Sequence, residues 1–131
     1  MERLLASDRR GTWIWAHTGW SADSSPALVR RLLEAHPNLF CELSGRESIR
    51  PKYRGDPIDE GGVVKPTWKA LLEEFPDRLV IGTDIDPATP ETYREEVGYW
   101  RGILTQLSPT AAKLAHENAE RLLKLPAVAR R

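Results

Sequence analysis

The chain has 131 residues, with 19 Lys and Arg against 19 Asp and Glu, one Cys and five Trp. That length predicts a single domain, 1–131, able to bury roughly two-thirds of its unfolded surface. The zero net charge excludes a broad electrostatic footprint for nucleic acid or anionic membrane, and no apolar run approaches the ~20 residues of a membrane helix.

In chain order, residues 2–7 read as the tail of a helix, ended by Arg9-Arg10-Gly11. Thr12–Ala16 (TWIWA) is short, aromatic and β-branched, which predicts a buried strand. Trp13 and Trp15 share one face of it and are expected to pack in the core. His17-Thr18-Gly19-Trp20-Ser21 leaves the strand as a loop. Ser25-Pro26 supplies an N-cap and a first-turn proline, so a helix follows with Leu28, Leu32, Leu33 and Ala35 on its inner face, stopped by Pro37. Leu39–Leu43 (LFCEL) is the second strand. The long polar stretch 45–65 is expected to be a lid or a solvated loop. Pro66 opens a helix with Trp68, Leu71, Leu72 and Phe75 at helical spacing. Arg78–Ile81 (RLVI) is the third strand, running out into Gly82-Thr83-Asp84. Thr89-Pro90 starts a helix with Tyr93, Val97, Trp100, Leu104 and Leu107 on one stripe. Ser108-Pro109 starts the last, with Ala112, Ala115, Ala119, Leu122 and Leu123 inward. Alternating strands and helices predict an α/β fold with a parallel sheet.

Ligands of such folds sit at the carboxyl ends of the strands. Those ends carry His17, then Glu42 followed by Ser44-Gly45-Arg46, then Asp84 with Asp86 two residues on. A histidine and a carboxylate from two strand ends can converge on one point, to bind a divalent metal or pass a proton. Each has a plainer alternative. His17 can bond a loop carbonyl, and Asp84 can cap a turn before Thr89. Glu42 points into a polar cavity or meets an arginine, the structural pairing being favoured. Ser44 is a strand-end turn residue or a ligand contact. Arg46 and Arg50 belong to a solvated face or clamp a substrate carboxylate as a planar fork. Trp20, beyond the strand end, suits a pocket wall. His36 and His116 read as helix residues near the surface, and Cys41 as packing. A lone cysteine, and charges in MERLLASDRR where a secretion signal needs its apolar core, predict a cytoplasmic protein.

The runs Trp15-Ala16-His17-Thr18-Gly19-Trp20, HPNLFCELS from His36 to Ser44 and RLVIGTD from Arg78 to Asp84, with the ending Asn118-Ala119-Glu120-Arg121-Leu122-Leu123, resemble the amidohydrolase-related family. They follow the family's order over nearly the whole chain. The resemblance implies part of a TIM (β/α)8 barrel: about three parallel βα units, strands six to eight, plus a C-terminal helix. It implies one divalent metal, with zinc expected, and hydrolase, lactonase or non-oxidative decarboxylase chemistry on a small carboxylated or cyclic substrate. His17 would act on the metal-bound water or the substrate. Asp84 would be a metal ligand or general base. Trp20, Ser44 and Arg46 would bind substrate. The family's His-x-His pair has no counterpart, because no two of His17, His36 and His116 lie two apart, and the strand-five ligand is missing too. Two expectations follow: a metal-dependent enzyme whose site is completed from elsewhere, or a non-catalytic half-barrel that forms a homo-oligomer, assembles with a complementing N-terminal half, or is an inert remnant. A small open α/β binding domain is the third.

Overall fold

Three short runs rich in β-branched and aromatic residues pair into one sheet in the computed structural model, which describes residues 2–19, 24–45, 57–84, 89–109 and 111–126. β1 (Trp13–Trp15), β2 (Leu39–Glu42) and β3 (Leu79–Val80) lie in the order β1-β2-β3, and both pairings are parallel. The register sets Trp13 beside Leu39, Trp15 beside Cys41, and Cys41 beside Leu79. This period of two turns Leu39, Cys41 and Leu79 into the core, where all three are fully buried. Trp13 and Trp15 pack half-buried against the same core, as their spacing predicted. The other face carries the partners Ile14 and Phe40, then Glu42 and Val80. It is more open, and Ile14 is 50% exposed.

Helices cover the buried face. After α1 (Glu2–Ser7), α2 (Pro26–Ala35) starts as the Ser-Pro pair predicts: Ser25 Oγ accepts from Leu28 N at 3.3 Å, and Pro26 fills the first position. Its buried residues are Val29, Leu32 and Leu33, so Val29 takes the inward place expected for Ala35, which is exposed. α3 (Pro66–Glu74) buries Trp68, Leu71 and Leu72 as its spacing requires. α4 (Pro90–Leu104) buries Trp100 and Ile103 but leaves Tyr93 54% exposed. The predicted last helix is broken. A 3-10 turn, Ala111–Leu114, precedes α5 (Glu117–Leu123), and His116 between them leaves helical geometry at φ −156°. The break lets Asn118, 1% exposed, donate its amide to Pro76 O and Leu79 O, both at 2.7 Å, which fastens α5 beneath β3. It also turns Leu123 outward, 64% exposed, where an inward position was expected.

His36 is a second departure: it is buried at the C-cap of α2, not near the surface. Its carbonyl accepts from Arg78 Nη2 at 2.6 Å, and Arg78 Nε donates to Leu39 O at 2.7 Å. The Arg78 guanidinium lies over the Phe40 ring, 5.3 Å from its centroid. Burial lowers the Arg78 pKa from its ordinary value, but the side chain serves as a tie at the amino end of the sheet. His116 is exposed, as expected, and pairs with Glu120 at 3.1 Å. Among the described residues no helix is long and apolar enough to cross a membrane.

Candidate active site

β1 ends in a tight turn. Residues Ala16–Gly19 form a 3-10 segment in which His17 (φ 55°) and Thr18 (φ 47°) are both left-handed. Asp84, just beyond β3, is left-handed as well (φ 48°). Side chains other than glycine adopt this region at a cost and cluster at functional positions when they do. The three lie together at the carboxyl end of the sheet. Lys124, at the end of α5, is the other such residue among those described.

Glu42 holds this edge together. Its carboxylate accepts His17 N at 3.0 Å, Ser44 N at 2.7 Å and Ser44 Oγ at 2.8 Å. Its carbonyl accepts the Thr18 hydroxyl at 2.6 Å, and Thr18 is fully buried. Two left-handed residues in a row are thus held by one strand residue through both its backbone and its side chain. Gly82 makes the room, because a Cβ there would run into Glu42 Oε1. Among the described residues Glu42 meets no arginine. It meets the backbone of the turn that carries His17, a role that its mid-strand position did not announce.

Among the described residues the His17 ring lies between Ser44 and Asp84. Nδ1 is 2.9 Å from Ser44 Oγ, and Nε2 is 3.9 Å from Asp84 Oδ2. Nδ1 is 3.8 Å from Glu42 Oε2, so Ser44 mediates that pairing. The His17 side chain is about one-third exposed, at 31%, and that of Asp84 is 57% exposed. Ser44 is buried at 2%. Trp20, Arg46, Arg50 and Asp86 lie outside the described residues, as does most of the expected lid. Its end is described: Ile58 and Val64 form an antiparallel bridge, and Gln106 of the α4–α5 connection holds it by accepting from Val64 N and donating to Gly62 O, both at 2.9 Å.

A neutral imidazole and a carboxylate are suitable zinc ligands. With bonds of about 2.0–2.2 Å each, a gap of 3.9 Å admits one ion between them. Among the described residues no group of three or more His, Cys, Asp or Glu side chains is placed to hold a metal. Among the described residues the edge therefore brings together His17 and Asp84, two donors of the right kind, where a catalytic zinc takes three.

The sequence matches the amidohydrolase family over residues 1–125. Among solved structures the chain is similar to an amidohydrolase from Burkholderia multivorans. The crystal structure with bound HEPES gives a TM-score of 0.63 at 23% identity, and the one with bound Zn gives 0.59 at 21%. Each likeness covers 95% of this chain and 48% of the other, so the chain spans about half the length of those structures. No match was found among curated proteins. The three parallel βα units are thus a portion of an amidohydrolase barrel.

Proposed function

The chain belongs to the amidohydrolase family, and on that premise we propose that it carries the strand-six-to-eight part of a metal-dependent hydrolase, or non-oxidative decarboxylase, acting on a small carboxylated or cyclic substrate. The observation that carries this reading is the approach of His17 Nε2 to Asp84 Oδ2, 3.9 Å across the carboxyl edge of the sheet. Each comes from a different strand end, and each is held in a left-handed conformation.

In this reading His17 and Asp84 are two of the groups that hold a divalent ion or work beside it, zinc being the favoured metal. Their remaining companions come from the rest of the barrel, whichever polypeptide supplies it. When bound, the ion polarises a carbonyl and makes a water more acidic. Asp84 contributes charge as a ligand, or accepts a proton at Oδ2. His17 handles a proton at Nε2. In hydrolysis it takes the proton from the attacking water and returns it to the leaving group. In decarboxylation it takes a proton from water at Nε2 and passes it to the carbon from which CO2 departs, leaving hydroxide. Trp20 walls the pocket, and Arg46 clamps a substrate carboxylate as a planar fork.

The test is an assay of zinc-loaded protein for hydrolysis of a lactone panel and for CO2 release from ring carboxylates. The expected activity is lost to a chelator, restored by zinc, and reduced by about 10²–10⁴ in His17→Ala, with a comparable loss in Asp84→Ala. Activity that survives both substitutions contradicts the reading.

A second reading, a non-catalytic half-barrel, is favoured by the open sheet face. Ile14 stands 50% exposed beside Phe40, on the side that a closed barrel fills with side chains. In that reading the face pairs with a second copy or with the complementing half. Light scattering that returns a clean monomer counts against it.

A further inference from the structure

We propose that Glu42 and Ser44 are positioning residues that fix His17 in the tautomer protonated at Nδ1, so that the basic nitrogen of the ring is Nε2, the one turned toward Asp84. The inference rests on the reading of His17 as the proton-handling group of the site, and it adds the device that sets which nitrogen does the work.

Among the described residues, the donors and acceptors on Glu42, Ser44 and His17 Nδ1 fit one arrangement. A carboxylate only accepts hydrogen bonds. The 2.8 Å contact between Ser44 Oγ and Glu42 Oε2 therefore uses the serine's one proton. With that proton committed, Ser44 Oγ can only accept at its 2.9 Å contact with His17 Nδ1. Nδ1 must then carry a hydrogen, and a neutral ring places its lone pair on Nε2. The parts cannot easily rearrange. Glu42 is also anchored by Ser44 N at 2.7 Å and by His17 N at 3.0 Å. Ser44 is 2% exposed, so water competes poorly for its hydroxyl. Gly82 keeps the carboxylate's place open. His17 N and Ser44 Oγ share the same Glu42 oxygen, so backbone and ring are referenced to one atom.

Unconstrained imidazole favours the opposite tautomer, protonated at Nε2. A histidine in that state would present a proton toward Asp84 and could neither take one there nor act as a ligand. The Glu42–Ser44 pair thus makes the less favoured form the resident one, the way outer partners commonly orient a working histidine.

Long-range ¹H–¹⁵N correlation spectra of the ¹⁵N-labelled, chelator-treated chain test this at about two pH units above the ordinary histidine pKa of ~6.5. The wild-type His17 ring is expected to show a protonated Nδ1 and a bare Nε2. Ser44→Ala is expected to shift the tautomer ratio about tenfold toward Nε2–H, the worth of one such hydrogen bond. Glu42→Ala is expected to shift it in the same direction, because the acceptor that commits the Ser44 proton is gone and Ser44 can donate to Nδ1. A wild-type ring protonated at Nε2 overturns the inference, and so does a Ser44→Ala ring with an unchanged ratio. If the variants do not fold, the wild-type spectrum alone decides. The measurement needs neither metal nor substrate, so a chain with the expected tautomer but without zinc binding or activity would fail the proposed function and leave this inference standing.

Discussion

Gly82 and Glu42 occupy adjoining space with no room for a Cβ between them: one placed on Gly82 meets Glu42 Oε1 and comes within 3.4 Å of Ser44 Cβ. Gly82→Ala must push away a carboxylate that three hydrogen bonds hold. The expected loss is about 1–3 kcal/mol of stability, read from the midpoint of chemical denaturation. In a Glu42→Ala background the obstacle is gone, and the same substitution should cost much less. Equal costs in the two backgrounds would show that the close approach is not what selects glycine.

Gly98 and Gly102 lie in exposed turns of α4 with nothing within 4 Å of an added Cβ. Each pays backbone entropy for no visible gain, so Gly98→Ala and Gly102→Ala are each expected to stabilise by about 0.5–1 kcal/mol. A rise in Tm for both, beside the fall for Gly82→Ala, would separate helix glycines from the one at the site.

Asn118 ties α5 to the carbonyls of Pro76 and Leu79 from a position 1% exposed. Asn118→Ala takes the donor from the buried Leu79 carbonyl and the part-buried Pro76 carbonyl, at an expected cost of about 1–3 kcal/mol. Hydrogen exchange in residues 117–123 should rise more than in α3, because the tie is local.

Asp77 accepts from Lys113 Nζ at 2.9 Å and lies 3.6 Å from Arg121 Nη1. The hydrogen bond from Lys113, with the charges of Lys113 and Arg121, holds its carboxyl below the ordinary range against the opposing effect of burial. A carboxyl lowered on folding stabilises above its unfolded pKa, and that contribution is lost as pH falls through the lowered folded value. The groups are nearly half exposed, so the effect is modest, about 0.5 kcal/mol. Asp77→Asn should lose it at pH 7 and match wild type in acid, as seen in denaturation midpoints across pH.

Most of the architecture was legible because it rests on local signals. The Ser-Pro and Thr-Pro starts placed α2 and α4, and the alternation of TWIWA and LFCEL placed two strands and their buried faces. The break before α5 was not legible, since alanines at 111, 112, 115 and 119 continue a helical pattern while a tertiary contact, Asn118 to Leu79 O, ends it. His17 and Asp84 were legible as polar groups at strand ends. The part of Glu42 was not, because its partners are the backbone of a left-handed turn 25 residues away. The spacing Glu42-x-Ser44, two polar groups on one strand face beside a Gly at 82, was the available signal.

The most direct measurement of the central claim is zinc affinity by competition with a chromophoric chelator, for wild type, His17→Ala and Asp84→Ala. With Asp84 as a ligand and His17 as the proton-handling group, Asp84→Ala is predicted to weaken binding at least about tenfold, while His17→Ala lowers activity far more than affinity. Equal affinity in all three proteins would contradict it.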